Sequence, residues 1–301
     1  MQTTLVAPSV MPAPQTRSDK EQTIAMLSEA MRESIRRDKA AGRLTPSTVA
    51  KFASLHLVLD DGSNRPVTPA PHHWLWLELV CDVRIKKLLI ISQPETAKTT
   101  WIVGAYLGCL LGFHPEQQII LGSVSEKTAE KRSMMLRAMV ETPNWQSTFP
   151  RVLPVAASDG FKWVTTEWSL AQDGQPYAGR IHPTVFAVGR GGSVIGGRAN
   201  TIVSDDLLDF DSTRTQGQRD TNARWIHSEF LSRRKSRVGR ILMIGNAWHP
   251  EDYYARAERE GGWVICKTRT LSDGPEVYAT VTYPDDWRYE MLGEPVGRAE
   301  I

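Results

Sequence analysis

Residues 87–101 read KLLIISQPETAKTTW. The run from Leu88 to Ile91 is apolar and rich in β-favouring residues, so it reads as a short buried strand. A turn containing Pro94 follows. Lys98 and Thr99 then open a segment, Thr99 to Leu111, that is apolar nearly all round and reads as a buried helix. Strand, loop, Lys-Thr and helix is the order that a phosphate-binding loop requires. Unpaired N–H groups at a helix start attract anions, and the helix dipole adds to that attraction. In such a site Lys98 reaches the β- and γ-phosphates and Thr99 Oγ1 binds Mg²⁺. Gln93, Pro94, Glu95, Thr96, Ala97 and Thr100 complete the phosphate cradle. The glycines that usually permit positive φ are missing, because Ser92 and Ala97 stand in their places. A surface lysine that happens to open a helix gives the same letters, so this stretch alone leaves both readings open.

Three further segments bear on the choice. TIVSDD, Thr201 to Asp206, is an apolar strand that ends in two carboxylates. In a P-loop hydrolase the first, Asp205, holds the Mg²⁺ shell, and the second, Asp206, polarises the attacking water. On an extended strand the two would aim at different targets. Acids that merely begin a turn are the alternative. The glycine-rich run VGRGGSVIGGRAN precedes that strand and carries Arg190 and Arg198, either of which can offset charge on a γ-phosphate or remain solvated. In ILMIGNAWHPEDYY a strand runs out at Gly245-Asn246, and Asn246 there is placed to contact a γ-phosphate or the water. A helix is expected to follow, with Pro250 in its first position.

Around these segments the chain alternates apolar strands with helical stretches. QQIILGS, TVFAVG, GRILMIGNA and WVICKTRT read as strands. SEKTAEKRSMMLRAMVET reads as a helix capped by Ser123 or Ser125. The expected fold is α/β: a P-loop NTPase of the RecA type, with a central, mostly parallel sheet flanked by helices. Ligands bind beyond the carboxyl ends of strands in such sheets, where the Lys98 loop lies. A small helical segment is expected ahead of it, capped by Ser18 and Glu21, with Ile24, Leu27, Met31 and Ile35 on one face.

Bulk composition adds limits. The net charge of +2 over 301 residues makes any nucleic-acid surface local. Its densest basic run is SRRKSRVGR, where Arg233, Arg234, Lys235, Arg237 and Arg240 suit sequence-independent phosphate contacts or a solvated helix end. Cys81, Cys109 and Cys266 are scattered, which suggests neither a zinc site nor a disulfide framework. No apolar stretch approaches the roughly 18 to 20 residues of a membrane span.

The four segments together resemble the ATPase domain of the large terminase subunit of tailed bacteriophages, the motor that packages viral DNA. PAPHHWLWLELV looks like that family's adenine-contacting segment, which puts His73 near the base. LGSVSEKTAEKRSMMLRAMVETPNWQSTFP resembles the strand, Ser-containing turn and helix that follow. GRGGSVIGGRANTIVSDDLLD is similar to the glycine-rich run into the acidic strand, and IGNAWHPEDYY to the coupling segment. The resemblance spans about residues 65 to 262. It implies ATP and Mg²⁺ as cofactors, and double-stranded DNA, the portal protein and the small terminase subunit as partners. It also implies a homo-oligomeric ring in the host cytoplasm at the procapsid portal, with one arginine acting across subunits.

Departures from the family pattern fall at Glu95 and Ala97 in the loop, and at Asn246 and Ala247 in the coupling segment. They leave open a weakly active or inactive assembly scaffold; a helicase-like ATPase is a third reading. The expected organisation is a disordered tail over 1–17, a helical lid or docking segment over 18–64, the ATPase domain over 65–270, and a linker over 271–301. Family members usually continue into a nuclease domain, for which an RNase H type would need roughly 200 more residues. Nuclease activity is therefore not expected from these residues.

Overall fold

The computed structural model describes residues 17–155, 160–175, 177, 182–194, 197–236, 238–270 and 277–284. The expected tail, apart from residue 17, lies outside them, as does Arg237.

Strands β1 (Lys87–Ser92), β2 (Ile119–Ser123), β6 (Val185–Gly189), β7 (Thr201–Asp205), β8 (Arg240–Gly245) and β9 (Val264–Thr270) form the parallel body of an eight-stranded sheet. Its order is β10-β9-β1-β8-β7-β2-β6-β4. Edge strands β4 (Glu167–Trp168) and β10 (Val277–Thr282) run antiparallel. β3 (Val152–Pro154) and β5 (Leu170–Gln172) pair separately. One strand, β8, separates the loop strand β1 from the acid strand β7. This is the mostly parallel, helix-flanked sheet expected from the sequence, and both groups emerge at the same carboxyl edge.

The sheet is covered on both faces, which is why its strands read as continuous apolar runs rather than alternating ones. Leu88 and Ile90 of β1, and Leu242 and Ile244 of β8, enter one core. Leu89 of β1, and Ile241 and Met243 of β8, enter the other. The first core holds α3 (Pro71–Cys81) and α4, which runs in π geometry over Thr99–Leu107 and in α geometry over Gly108–Phe113. It also holds residues of α5 (Glu126–Val140) and α6 (Pro143–Thr148). The second core is lined by α8 (Gln216–Trp225), its π-wound extension Ile226–Phe230, and α9 (Tyr253–Glu260). The short α7 (Phe210–Thr213) precedes α8.

Several sequence expectations are corrected here. Helices α1 (Arg17–Ala40) and α2 (Pro46–His56), the expected lid or docking segment, pack into the first core through Ile35, Val49, Phe52 and Ala53. Phe52 packs on Trp145 and Phe149. α1 starts at Arg17, so Ser18 lies inside it. Only the lower part of its apolar face docks, leaving Ile24 and Leu27 exposed. The expected linker contributes β10 to the sheet. α9 is capped by Asp252 rather than begun by Pro250, because the Asp252 carboxylate accepts hydrogen bonds from the N–H groups of Trp248, His249 and Ala255. That carboxylate gathers the donors a helix start leaves unpaired.

Candidate nucleotide site

The loop after β1 takes the shape its missing glycines would normally supply. Glu95 has φ 64° and Ala97 has φ 59°, both left-handed. Non-glycine residues avoid that region by roughly 1 to 2 kcal/mol, so neighbouring contacts must hold it. Ser92 Oγ donates to Thr96 Oγ1 at 2.9 Å, and Thr96 Oγ1 donates to the Gln93 carbonyl at 2.9 Å. His73 supports the loop from behind. Its Nδ1 accepts from Ala70 N–H at 2.9 Å, which leaves Nε2–H to donate to the Thr96 carbonyl at 3.0 Å. Burial pushes the His73 pKa down to about 4, consistent with this neutral tautomer. His73 is buried against Trp101 with near-parallel rings. The structure therefore gives it a loop-positioning contact, and its ring faces are occupied by protein. Glu95 is exposed, while Gln93, Pro94 and Thr100 sit on the loop and the first turn of α4.

Lys98 is buried at 5% exposure. Its ammonium donates to the carbonyls of Ser92 (3.0 Å) and Gln93 (2.7 Å) and to Asn246 Oδ1 (2.8 Å). Burial lowers its pKa, and the charges of Asp206 and Asp205 oppose that shift. Thr99 Oγ1 lies 2.9 Å from each Asp205 carboxylate oxygen. Residues from β1, β7 and β8 thus meet at one point above the carboxyl edge.

Asp205 ends β7 and is fully buried. Asp206 does not continue the strand. Its φ is 50°, a left-handed turn that aspartate tolerates better than most residues, and its N–H donates to the Ile244 carbonyl at 3.0 Å. The turn keeps both acids at the site rather than sending them to opposite faces of the sheet. Burial, and then the charge of Asp205, raise the Asp206 pKa to about 6. Lys98, Arg132 and the Asn246 N–H pull it the other way. Among the described residues, Asp206 Oδ1 is buried without a hydrogen-bond partner.

Two contributors were not singled out in the sequence. Arg132 of α5 places Nε 2.5 Å from Asp205 Oδ2. Ser123, expected as one of two possible helix caps, instead donates its hydroxyl to the Asp205 carbonyl at 2.7 Å, and Ser125 caps α5. The adjacency of β2 and β7 brings both to the acid. No local pattern signals that adjacency.

The expected arginines separate. Arg190 lies at the carboxyl edge, where its guanidinium holds the Leu207 carbonyl at 3.2 Å and Asp209 at 3.5 Å. Arg198 is exposed and precedes the amino end of β7, so the length of that strand separates it from the acids. Arg233, Arg234 and Lys235 gather at the same amino edge. Arg234 bridges to Ala199, and Lys235 Nζ donates to Asn200 Oδ1 at 3.0 Å. Arg240 is no surface cation. It is buried, with its N–H groups on the carbonyls of Val80, Asp82 and Ile85 and on the Tyr106 hydroxyl.

The donor set suits Mg²⁺. Thr99 and Asp205 offer hard oxygen donors, too few to enclose an ion alone, and Mg²⁺ ordinarily takes one or two carboxylates together with substrate phosphates. Among the described residues there is no cluster of three or more His, Cys, Asp or Glu that could hold a metal ion. Nor is any helix among them long and apolar enough to cross a membrane.

No protein-family model matches this chain. No curated protein matches it either. Chains of solved structures do match. Among them is the crystal structure of the HK97 bacteriophage large terminase, with 17% identity and a TM-score of 0.48, over 77% of this chain and 45% of that one. The chain therefore spans less than half the length of that terminase.

Proposed function

We propose that the chain is an ATP-hydrolysing motor domain of the large-terminase type, which couples ATP turnover to movement of double-stranded DNA. The observation that carries this reading is the convergence of Lys98, Thr99, Asp205, Asp206 and Asn246 at one carboxyl edge. The reading of Asp205 and Asp206 as simple turn formers accounts for none of those contacts.

The residues divide the work as follows. Lys98 and the loop amides hold the phosphates, with Lys98 exchanging its carbonyl partners for phosphate oxygens. Thr99 and Asp205 hold Mg²⁺, which when bound neutralises charge on the β- and γ-phosphates. Asp206 orients the attacking water and takes its proton, a task suited to a carboxylate whose pKa lies near the working pH. Asn246 joins Lys98 to Asp206 and so senses whether a γ-phosphate is present. Arg190 steadies the turn after the acids. Arg198, at the far edge, meets a phosphate only in a neighbouring subunit, which fits a ring. Portal and small-subunit contacts, and a place at the procapsid in the host cytoplasm, belong to this reading as well.

The test is ATP hydrolysis with and without double-stranded DNA. Wild type should turn over ATP faster with DNA, and Lys98→Ala and Asp206→Asn should each lose at least about a hundredfold, the scale of a lost general base or charge stabiliser. Turnover that is absent in wild type, or unaffected by both substitutions, rejects the motor. Absent turnover with retained nucleotide binding points to the scaffold alternative.

A further inference from the structure

We propose that Arg132 is a cation latch on the metal-binding carboxylate: it pairs with Asp205 and must release it when Mg²⁺ arrives. The inference rests on the nucleotide-site reading above and adds a residue to it.

Asp205 has no exposed surface, and a buried ionised carboxylate requires a partner. The Thr99 hydroxyl supplies one hydrogen bond to that carboxylate but no charge. Among the described residues, the one full cation within ion-pair distance is Arg132, at 2.5 Å through Nε. Its side chain is 30% exposed, so it has a route to solvent that Asp205 lacks. Among the described residues its terminal amino groups make no hydrogen bond and remain available to a phosphate. Lys98 is committed elsewhere, to two carbonyls and Asn246.

Mg²⁺ and a guanidinium cannot both sit against one small carboxylate without repelling each other. Binding of the ion is therefore an exchange of cations at Asp205. Arg132 belongs to α5, which follows directly on β2 and packs against β6. The exchange thus cuts the charged tie between α5 and the acid strand and makes α5 respond to the state of the site. Arg132 is a positioning residue in this scheme, acting through Asp205.

The test is Mg²⁺-dependent binding of ADP, which has no γ-phosphate to complicate the role of the freed arginine. Arg132→Gln should lower the Mg²⁺ concentration for half-maximal ADP binding about five- to tenfold, the scale of one charge-assisted contact discounted for partial exposure. Arg132→Lys, which keeps a competing cation, should stay near wild type. ADP binding in EDTA reports that each variant is folded. A second readout needs no variant: hydrogen exchange over residues 126–140 of wild type should speed up when Mg·ADP binds. A clamp that merely orients Asp205 gives the opposite results, with Arg132→Gln needing more Mg²⁺ and α5 exchange unchanged or slower. Either of these overturns the latch while leaving the nucleotide site intact. Wild type that shows no Mg²⁺-dependent nucleotide binding overturns the site reading and the latch together.

Discussion

Asp206 is held in two conditions that a free aspartate avoids: a left-handed backbone and a largely buried carboxyl with one oxygen unpaired. Its pKa is raised from 3.8 to about 6, so the native state holds this proton to a higher pH than the unfolded chain does. Native protein then binds more protons than unfolded chain between about pH 4 and 6, and stability falls as pH rises through that window. Asp206→Asn removes the charge, so it should be more stable than wild type above pH 6 by about 1 to 3 kcal/mol, with the gap closing towards pH 4. Thermal unfolding of both proteins across pH 4 to 8 measures this, and a constant gap would contradict it. At this scale much was legible, since Lys98, Thr99, Asp205, Asp206 and Asn246 announce themselves by residue type at strand ends. The backbone of Ala97 and Glu95 was not, because a sequence without glycine gives no sign that positive φ is adopted anyway. Arg132 was hidden among the charges of a helix whose polar face looks solvated.

At the scale of elements, the site depends on how closely α5 meets β6. A Cβ built on Gly189 would lie 2.2 Å from the backbone nitrogen of Glu126, the first residue of α5. Backbone cannot yield as a side-chain tip does. Gly189→Ala should therefore push the start of α5 off the sheet and destabilise the protein by about 2 to 3 kcal/mol, the upper part of the overpacking range. Urea denaturation checks the value, and a change under 0.5 kcal/mol would contradict the close approach. A Cβ on Gly245 would lie 2.5 Å from the Tyr254 hydroxyl, a side-chain contact that has more room to yield. The strands of the parallel body were readable from their apolar runs, and α5 from its Ser-capped start. The edge strands β4 and β10 were not, because two to six residues on a sheet margin carry no periodicity. The start of α9 was misread because Pro250 is a common first helical residue, while Asp252 collects the donors here.

Over the whole molecule, the two kinds of charged site sit at opposite edges of the sheet. The residues proposed to hold the nucleotide lie at the carboxyl edge, and Arg198, Arg233, Arg234 and Lys235 at the amino edge. DNA contact and nucleotide binding should then be separable by mutation. Replacing Arg233, Arg234 and Lys235 together by Ala should weaken double-stranded DNA binding and make its log–log salt dependence shallower by about two to three, with ADP affinity unchanged. An unaltered salt slope would remove the basic run from the DNA surface. The placement of the N-terminal helices in the main core was not legible, since α2 is joined to it by Phe52, Trp145 and Phe149, three aromatic residues far apart in sequence. The central claim is that groups from three strands share one magnesium nucleotide. Calorimetric binding of a non-hydrolysable ATP analogue to wild type, Lys98→Ala and Asp205→Asn, each with Mg²⁺ and with EDTA, tests it most directly. The account predicts that Lys98→Ala weakens binding at least about tenfold in both conditions, the loss of one charged contact, while Asp205→Asn abolishes the Mg²⁺ enhancement and leaves binding in EDTA. Equal affinities for all three proteins, or an Mg²⁺ enhancement that survives Asp205→Asn, would contradict it.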